Sequence, residues 1–186
     1  MAIKQDYFDT ALELLSEQGY SALKQATLCK RLRVTTGSFY HYFENWHDFT
    51  SQLLEHWQAE RTTQLVEAAQ QHRDPLAQLD ALLRFALALP HRAEAAIRVW
   101  SKVDPEVRSI QDAVDAQRLE VVAHAARAIL DDEEEALHHA RWGLYLLAGY
   151  QELDSGENPE ALEWVLSRLL QELRDRSVEK RHVAPI

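Results

Sequence analysis

The sequence predicts an all-α protein of about nine helices, three in the first 46 residues and the rest in a larger helical body. Only five Gly and five Pro occur among 186 residues, too few turn formers for a β-rich chain of this size. Apolar residues recur every three to four positions along most of the sequence, which is typical of helices that bury one face.

The first three helices are short. Residues 4–18 carry an apolar stripe and are followed by Gly19, a common helix stop. A second helix is expected over 25–33. A third is expected over 36–43, with a Thr hydroxyl at residue 35 or 36 as its N-cap.

Six further helices are expected to follow. Asn45 caps a helix that runs to about residue 72, and Asp74-Pro75 starts one that ends at Leu89. Further helices are predicted over 92–103, 105–130, from the acidic run at 131–135 to 153, and 159–176. The segment DSGENP at 154–159 is expected to be a loop.

Charge is unevenly distributed in this chain, whose formal net charge is −10. Residues 1–50 hold five basic and six acidic side chains, so nearly all of the negative charge belongs to residues 51–186. No acid stands between Glu17 and Glu44, whereas four basic residues do. The overall acidity argues against a nucleic-acid partner, but this local window does not.

Two further observations limit the class of protein. The single cysteine, Cys29, excludes an internal disulfide, and a Cys-based metal site is not expected. Neither a signal peptide nor a membrane-spanning apolar run is recognisable. We therefore expect a cytoplasmic protein with no catalytic residues, no metal, no cofactor and no membrane partner.

The most informative segment is YSALKQATLCKRLRVTTGSFYHYF at 20–43. Two short helices joined by a tight turn present the second helix to a DNA major groove. Phe39 and Phe43 are four residues apart and are expected to anchor that helix in the core. Small residues and hydroxyls then remain for the outer face, where they suit base edges and phosphates.

This segment resembles the tetracycline-repressor (TetR) family of transcriptional regulators. The resemblance runs from Ala11, Leu14 and Gly19-Tyr20 to Thr36-Gly37-Ser38-Phe39-Tyr40-x-Tyr42-Phe43. It covers about the first 50 residues. This sequence departs from the family by having Arg33 where Gly usually precedes Val34, and Trp46 where a basic residue is common.

The resemblance implies a homodimer that binds a palindromic double-stranded DNA operator and is released by a small-molecule effector. It implies a DNA-binding domain over 1–46, a ligand-binding and dimerisation domain over 47–178, and a flexible tail over 179–186. The residues assigned to DNA binding are Lys24, Thr27, Arg33, Thr35, Thr36, Gly37, Ser38, Tyr40, His41 and Tyr42. The long fourth helix would carry the ligand signal to the DNA-binding domain.

Two further sets of residues are predicted in the body. Large aromatic and isolated polar side chains suggest a ligand pocket formed by Trp57, Arg61, Trp100, Arg118, His138, Trp142 and Tyr145. If Arg118 lines that pocket, an anionic or hydrogen-bonding ligand is favoured. Broad apolar faces on the last two helices predict a dimer interface that contains Leu144, Leu147, Ala148, Trp164, Val165, Leu169 and Leu170.

Two alternative functions stay open at this point. A di-iron carboxylate enzyme would use Glu-x-x-His strings, which occur at Glu44–His47 and Glu135–His138 without identifiable partner glutamates. A helix-turn-helix protein that contacts only other proteins is the second alternative. The sequence names neither the effector nor the operator, and it does not separate repression from activation.

Overall fold

The computed structural model describes residues 2–153 and 157–183, with side chains as far as residue 178. Nine α-helices occur in this part of the chain. No strand occurs in these ranges, so the all-α prediction is confirmed. The helices are α1 (Lys4–Gln18), α2 (Gln25–Leu32), α3 (Thr36–Tyr40), α4 (Trp46–Gln70), α5 (Pro75–Leu87), α6 (His91–Ser101), α7 (Pro105–Arg127), α8 (Glu133–Leu153) and α9 (Pro159–Val183). One 3-10 turn, Tyr20–Ala22, joins α1 to the segment before α2.

Most helix starts follow the predicted caps. The Asp74 carboxylate accepts a hydrogen bond from the amide of Ala77 at 2.9 Å, with Pro75 in the first turn. The Asn45 side chain accepts from the amide of Asp48 at 2.9 Å. In the acidic run, the Asp132 carboxylate accepts from two amides at the start of α8, at 2.8 and 3.0 Å.

Two helix ends differ from the prediction. Helix α3 ends at Tyr40 rather than at residue 43, because the amide of Tyr42 bonds to the carbonyl of Phe39 in a tighter turn. Helix α9 continues to Val183, beyond the predicted end at residue 176, since no Gly or Pro interrupts that stretch. The predicted flexible tail therefore begins inside α9. Residues 184–186, and residues 154–156 of the expected loop, lie outside the described part of the chain.

The chain divides into two compact units. The first contains residues 1–60 and 90–112, and the second contains residues 61–89 and 113–186. The continuous helix α4 contributes its first part to one unit and its last part to the other. This division by packing differs from the functional division predicted at residue 46, which stays a prediction.

The first unit is built on an aromatic core. Tyr7, Phe8, Phe39, Phe43 and Phe49 are buried, and the ring centroids of neighbouring pairs lie 5.0–6.2 Å apart. Edge-to-face and tilted pairs of this kind stabilise a core beyond the area that they bury. Because Phe39 lies in α3 and Phe43 follows it in the next turn, this core fixes the position of that helix.

Helix α6 packs against α1 in the same unit. The Trp100 ring stacks on Tyr20, with centroids 4.8 Å apart. The buried Trp57 indole N–H donates to the buried carboxylate of Glu94 at 3.1 Å. Trp57 and Trp100 thus serve the packing of the first unit, as does the half-buried Trp46, whose ring lies 5.0 Å from that of Phe49.

The second unit is a leucine-rich helical core in which α9 packs against both α5 and α8. Gly143 lies on α8, where an added Cβ would come within 3.3 Å of Leu169 Cδ2. The absence of a side chain there permits the close approach of α8 and α9. Among the described residues, no helix is long and apolar enough to cross a membrane.

Candidate nucleic-acid interface and ligand cavity

The turn between α2 and α3 is closed by a left-handed residue. Arg33 has φ 57° and ψ 40°, a left-handed conformation that glycine adopts without strain. The amide of Val34 bonds to the carbonyl of Cys29 at 3.0 Å, which ends α2 in a Schellman motif. This geometry keeps α3 close to the end of α2.

The outer face of α3 carries the predicted small and hydroxyl residues. Thr35 caps the helix, since its Oγ1 accepts from the amide of Ser38 at 3.2 Å. Thr36, Gly37 and Tyr40 are exposed, and Tyr40 leaves 54% of its surface accessible. These three residues, which are among those assigned to base and phosphate contacts, are therefore open to solvent.

Tyr42 is held differently from Tyr40. Its hydroxyl donates to the carbonyl oxygen of Ala2 at 3.1 Å, and its half-buried ring packs 5.7 Å from Tyr7. Because the hydroxyl is used inside the protein, Tyr42 ties the N-terminal segment to the turn after α3.

One of the four predicted basic residues is neutralised within the protein. The Arg31 guanidinium donates to both Glu17 oxygens, at 2.6 and 2.7 Å, and lies 3.7 Å from a Glu13 oxygen. Hydrogen bonding from Arg31 and its charge lower the pKa of Glu17, and the same contact raises the pKa of Arg31. Lys24, Lys30 and Arg33 remain as exposed cations on this part of the unit.

The predicted DNA-binding residues fall into two groups. Six of them line one shallow concave surface together with Ala2 and Val34, and these six are Arg33, Thr35, Gly37, Ser38, His41 and Tyr42. The other four lie outside that concavity: Lys24, Thr36 and Tyr40 are exposed, and Thr27 is half-buried on α2. Their contacts with DNA stay predictions.

The second unit contains a cavity of about 100 Å³. Its walls come from α4, α5, α7, α8 and α9 and consist almost wholly of Leu, Ala, Val, Phe and Gly. Two polar side chains line it, the predicted Arg118 and the unpredicted His139, and both are buried. A mainly apolar cavity with a few placed polar groups is the usual form of a small-molecule site.

The other predicted pocket residues do not line this cavity. Trp57 and Trp100 belong to the packing of the first unit. Arg61 is half-buried in the second unit, whereas His138, Trp142 and Tyr145 are exposed on α8. Helical spacing alone does not separate a tryptophan in a packed core from one in a pocket, because both stand on apolar faces.

His139 was missed because it stands beside the exposed His138. A usable signal was present, since Ala136, Ala140 and Gly143 repeat small residues on the same face of α8. Small side chains at that spacing leave room beside a helix, and His139 lies next to them.

The predicted dimer residues divide between the interior and the surface. Leu147, Leu169 and Leu170 are buried and, with the half-buried Leu144, line the cavity. Ala148 and Val165 are half-buried, and Trp164 is 61% exposed. The solvent-facing aromatic residues on α8 and α9 are Trp142, Tyr145 and Trp164.

The two Glu-x-x-His strings lie in different units. Glu44 and His47 flank the start of α4 in the first, and Glu135 and His138 lie on α8 in the second. Glu135 accepts a hydrogen bond from Arg176 at 2.8 Å. Among the side chains of residues 2–153 and 157–178, no three from His, Cys, Asp or Glu form a metal-binding group.

Comparisons with known proteins agree with this geometry. Residues 8–47 match the family described as bacterial regulatory proteins, tetR family. The transcriptional regulator AcuR of Cereibacter sphaeroides is 45% identical over 51 residues, which span 27% of this chain and 23% of AcuR. The chain thus matches less than a quarter of that curated relative.

Solved structures resemble the chain over almost its whole length. A transcriptional regulator from Rhodococcus sp. Rha1 superposes with a TM-score of 0.77 at 20% identity, covering 92% of this chain and 96% of that one. A TetR-family transcriptional regulator from Streptomyces coelicolor gives a TM-score of 0.78 at 17% identity, covering 94% and 95%. At these identities the likeness concerns the fold.

Helix α3 is capped at its start, exposed on one face and held by buried aromatic residues. These features define a helix-turn-helix DNA-binding domain in an all-α protein. The comparisons place that domain in the TetR family, so the predicted resemblance is confirmed. Because the match covers residues 8–47, it supports the prediction of a DNA-binding transcriptional regulator for that segment.

Proposed function

We propose that this chain is a cytoplasmic repressor that binds a palindromic operator as a homodimer and leaves it when a small molecule occupies the cavity of the second unit. The exposed face of α3 reads the operator, and the concave surface beside it follows the phosphate backbone. The observation that carries the proposal is the space around Gly37.

Gly37 is not required by the fold. A Cβ built on it meets only Thr35 Oγ1, at 3.7 Å, which is ordinary van der Waals contact, and its φ is not positive. Glycine in a helix costs roughly 0.5–1 kcal/mol relative to alanine. A residue that weakens α3 without relieving any contact inside the protein is explained by a partner that approaches α3 closely.

The test starts from DNA fragments selected by the purified protein, whose sequence defines the operator. Gly37→Ala is expected to leave the thermal midpoint unchanged or slightly higher and to weaken operator binding at least tenfold in a mobility-shift titration. Gly149→Ala is the matched control, because Gly149 also lies on a helix, α8, with no heavy atom near its missing Cβ. Since Gly149 lies one turn after Tyr145, sedimentation must show that this variant is still a dimer.

The two variants separate a role in DNA recognition from a general effect on stability. Both are expected to be at least as stable as the unmodified protein, and only Gly37→Ala is expected to bind the operator more weakly. Full operator affinity in Gly37→Ala would contradict the proposed contact. Failure of the unmodified protein to select any DNA sequence would favour a partner protein instead.

The proposed dimer uses the exposed aromatics of α8 and α9. Tyr145 is 69% exposed and Trp142 is 46% exposed, and large apolar side chains left at a surface mark interfaces. Tyr145→Glu is expected to convert the dimer to monomer in sedimentation. Val103→Glu, at an apolar residue that is 71% exposed in the first unit, is the control and should stay dimeric.

Helix α4 is the proposed route of the signal. Leu65 in its second half lines the cavity, and Phe49 near its start lies 5.6 Å from the Phe39 ring of α3. A ligand that displaces Leu65 would move a continuous helix whose other end supports α3. The two recognition helices of the dimer would then no longer match two successive grooves.

A further inference from the structure

We infer that the effector is a small neutral alcohol, with its hydroxyl on a compact hydrocarbon body, and that this hydroxyl donates a hydrogen bond to His139 Nε2. The inference rests on the proposed ligand response and names the chemical class of the ligand. It is drawn from the size of the cavity, from its wall, and from the hydrogen bonding of the His139 ring.

The cavity limits the size of the ligand. Its volume of about 100 Å³ is well below the ~300–1,000 Å³ of sites for drug-sized molecules. An engineered apolar cavity of ~150 Å³ accepts benzene. A ligand of roughly five to nine non-hydrogen atoms therefore fits with modest movement of the leucines around it.

The wall of the cavity is almost wholly hydrocarbon. Apart from Arg118 and His139, its lining residues present aliphatic or aromatic side chains or glycine. A sugar or nucleotide would bury several hydroxyl or phosphate groups without hydrogen-bond partners, and each such group costs free energy. The ligand therefore has a hydrocarbon body with few polar groups.

His139 provides a hydrogen-bond acceptor on this wall. Its Nδ1 lies 2.9 Å from the backbone carbonyl oxygen of Glu135, which only accepts, so Nδ1 carries a hydrogen. In the neutral imidazole, Nε2 is then an acceptor. This atom is buried and makes no hydrogen bond with any residue that the structure describes. Because buried acceptors normally have a donor, Nε2 favours a ligand that donates.

The surroundings of His139 favour a neutral donor over a charged one. A Glu172 oxygen lies 3.5 Å from Nε2, and no hydrogen bond joins these two acceptors. A carboxylate or carbonyl ligand would add a third acceptor oxygen beside them. An ammonium ligand would leave water for a hydrocarbon wall that already holds the Arg118 guanidinium, at a large cost in desolvation.

Arg118 lines the same cavity and already interacts within the protein. Its side chain is 7% exposed, and its Nη1 lies 3.5 Å from an oxygen of Asp115, which is on the same helix. The sequence favours an anionic or a hydrogen-bonding ligand if Arg118 lines the pocket. The acceptor on His139 selects the second of these, and the ligand needs no contact with Arg118.

The first experiment compares matched probes on the unmodified full chain by calorimetric titration in the absence of DNA. Cyclopentanol and cyclohexanol are compared with cyclopentanone and cyclohexanone, which have the same skeletons and an oxygen that only accepts. We expect at least one alcohol to bind about tenfold more tightly than its ketone, because only the alcohol donates to Nε2. Equal or tighter binding of both ketones would overturn the inference, as would no binding of either alcohol.

Charged probes with the same ring test whether the ligand is neutral. Cyclohexylamine, which is a cation at neutral pH, and cyclohexanecarboxylate are each expected to bind at least tenfold more weakly than cyclohexanol. If the carboxylate binds as tightly as the alcohol, Arg118 rather than His139 selects the ligand. If the amine does so, the Glu172 carboxylate selects it. Either result would overturn the inference.

Variants then locate the hydroxyl. His139→Phe keeps a ring but removes both nitrogens, and it is expected to lower alcohol affinity at least tenfold while ketone affinity stays within threefold. His139→Gln places an amide oxygen near the position of Nε2 and should retain part of the alcohol affinity. His138→Gln, at the exposed neighbour, is the control and should change neither. Unchanged alcohol affinity in His139→Phe would overturn the assignment.

Nitrogen-15 NMR of the histidine rings gives a measurement on the unmodified protein, which decides if His139→Phe does not fold. Imidazole nitrogens with and without a hydrogen have well separated chemical shifts. We expect His139 Nε2 to lack a hydrogen in the free protein and its shift to change with cyclohexanol but not with cyclohexanone. A hydrogen on Nε2 in the free protein, or no change with cyclohexanol, would count against the inference.

The same probes distinguish this inference from the proposed function. An alcohol that binds through His139 without releasing the operator would support the alcohol site and contradict the proposed release. A ketone that releases the operator as well as its alcohol would support the release and overturn the preference for a donor.

Discussion

Replacing Arg33 by glycine should stabilise the protein and weaken its DNA binding at the same time. The left-handed backbone at Arg33 costs a residue with a Cβ roughly 1–2 kcal/mol, and glycine avoids this cost. Glycine also destabilises the folded state by roughly 0.5–1 kcal/mol, because it loses more conformational entropy on folding. The expected net gain is about 0.5–1 kcal/mol, equivalent to a rise of roughly 1–4 °C in Tm for a chain of this length.

The alanine variant separates strain from charge. Arg33→Ala keeps a Cβ in the left-handed conformation, so its stability should stay within about 0.5 kcal/mol of the unmodified protein. Both variants remove one cation from each protomer. Each should therefore lower the slope of log K against log salt by roughly two for a dimer.

Two measurements check this reasoning. Urea unfolding compares the stabilities of the three proteins, and operator titration at several salt concentrations compares their slopes. If Arg33→Gly is no more stable than Arg33→Ala, the argument from backbone strain is refuted. An unaltered salt slope in both variants would show that Arg33 does not contact phosphate.

Three other outcomes follow from single contacts. Hydrogen bonding from Arg31 lowers the pKa of Glu17 below its ordinary 4.5, so the ion pair stabilises the folded protein above that pH and this stabilisation is lost in acid. The Arg31→Met variant should therefore lose less stability than the unmodified protein when the pH falls from about 5 to about 3. Cys29 is buried and burial raises its pKa, so a thiol reagent should label it in urea but not in the native protein. Trp57→Phe removes the buried donor to Glu94 and should cost about 1–3 kcal/mol in urea unfolding; a loss below 0.5 kcal/mol would show that this bond is not needed.

The helix starts could be predicted because their signals are local. Asp74-Pro75 and Asp104-Pro105 each place a carboxylate and a proline where a helix begins, and both carboxylates accept amide hydrogen bonds in the structure. The end of α3 was less predictable. Phe43 packs in the aromatic core even though it lies in a turn, so the apolar spacing of Phe39 and Phe43 does not distinguish a helix from a turn there.

The two sites differ in how much of them the sequence could predict. The candidate DNA-binding surface comes from one continuous stretch, and its exposed and buried positions follow from the four-residue spacing of Phe39 and Phe43. The cavity is assembled from five helices that are distant in sequence. The residues around Trp100 and Arg118 in the sequence do not show that Trp100 packs on Tyr20 in the first unit, whereas Arg118 lines a cavity in the second.

The structure also changes the interpretation of charge. Four basic residues stand in the acid-free window of a protein with net charge −10, but Glu17 and Glu13 compensate Arg31. Three exposed cations remain there, and only Arg33 is in the concave surface beside α3. Attraction to phosphates is therefore modest, and the acidic remainder of the chain opposes it. We propose that discrimination between DNA sequences comes from close contact at the hydroxyl-rich face of α3, which would explain the unstrained glycine near the start of that helix.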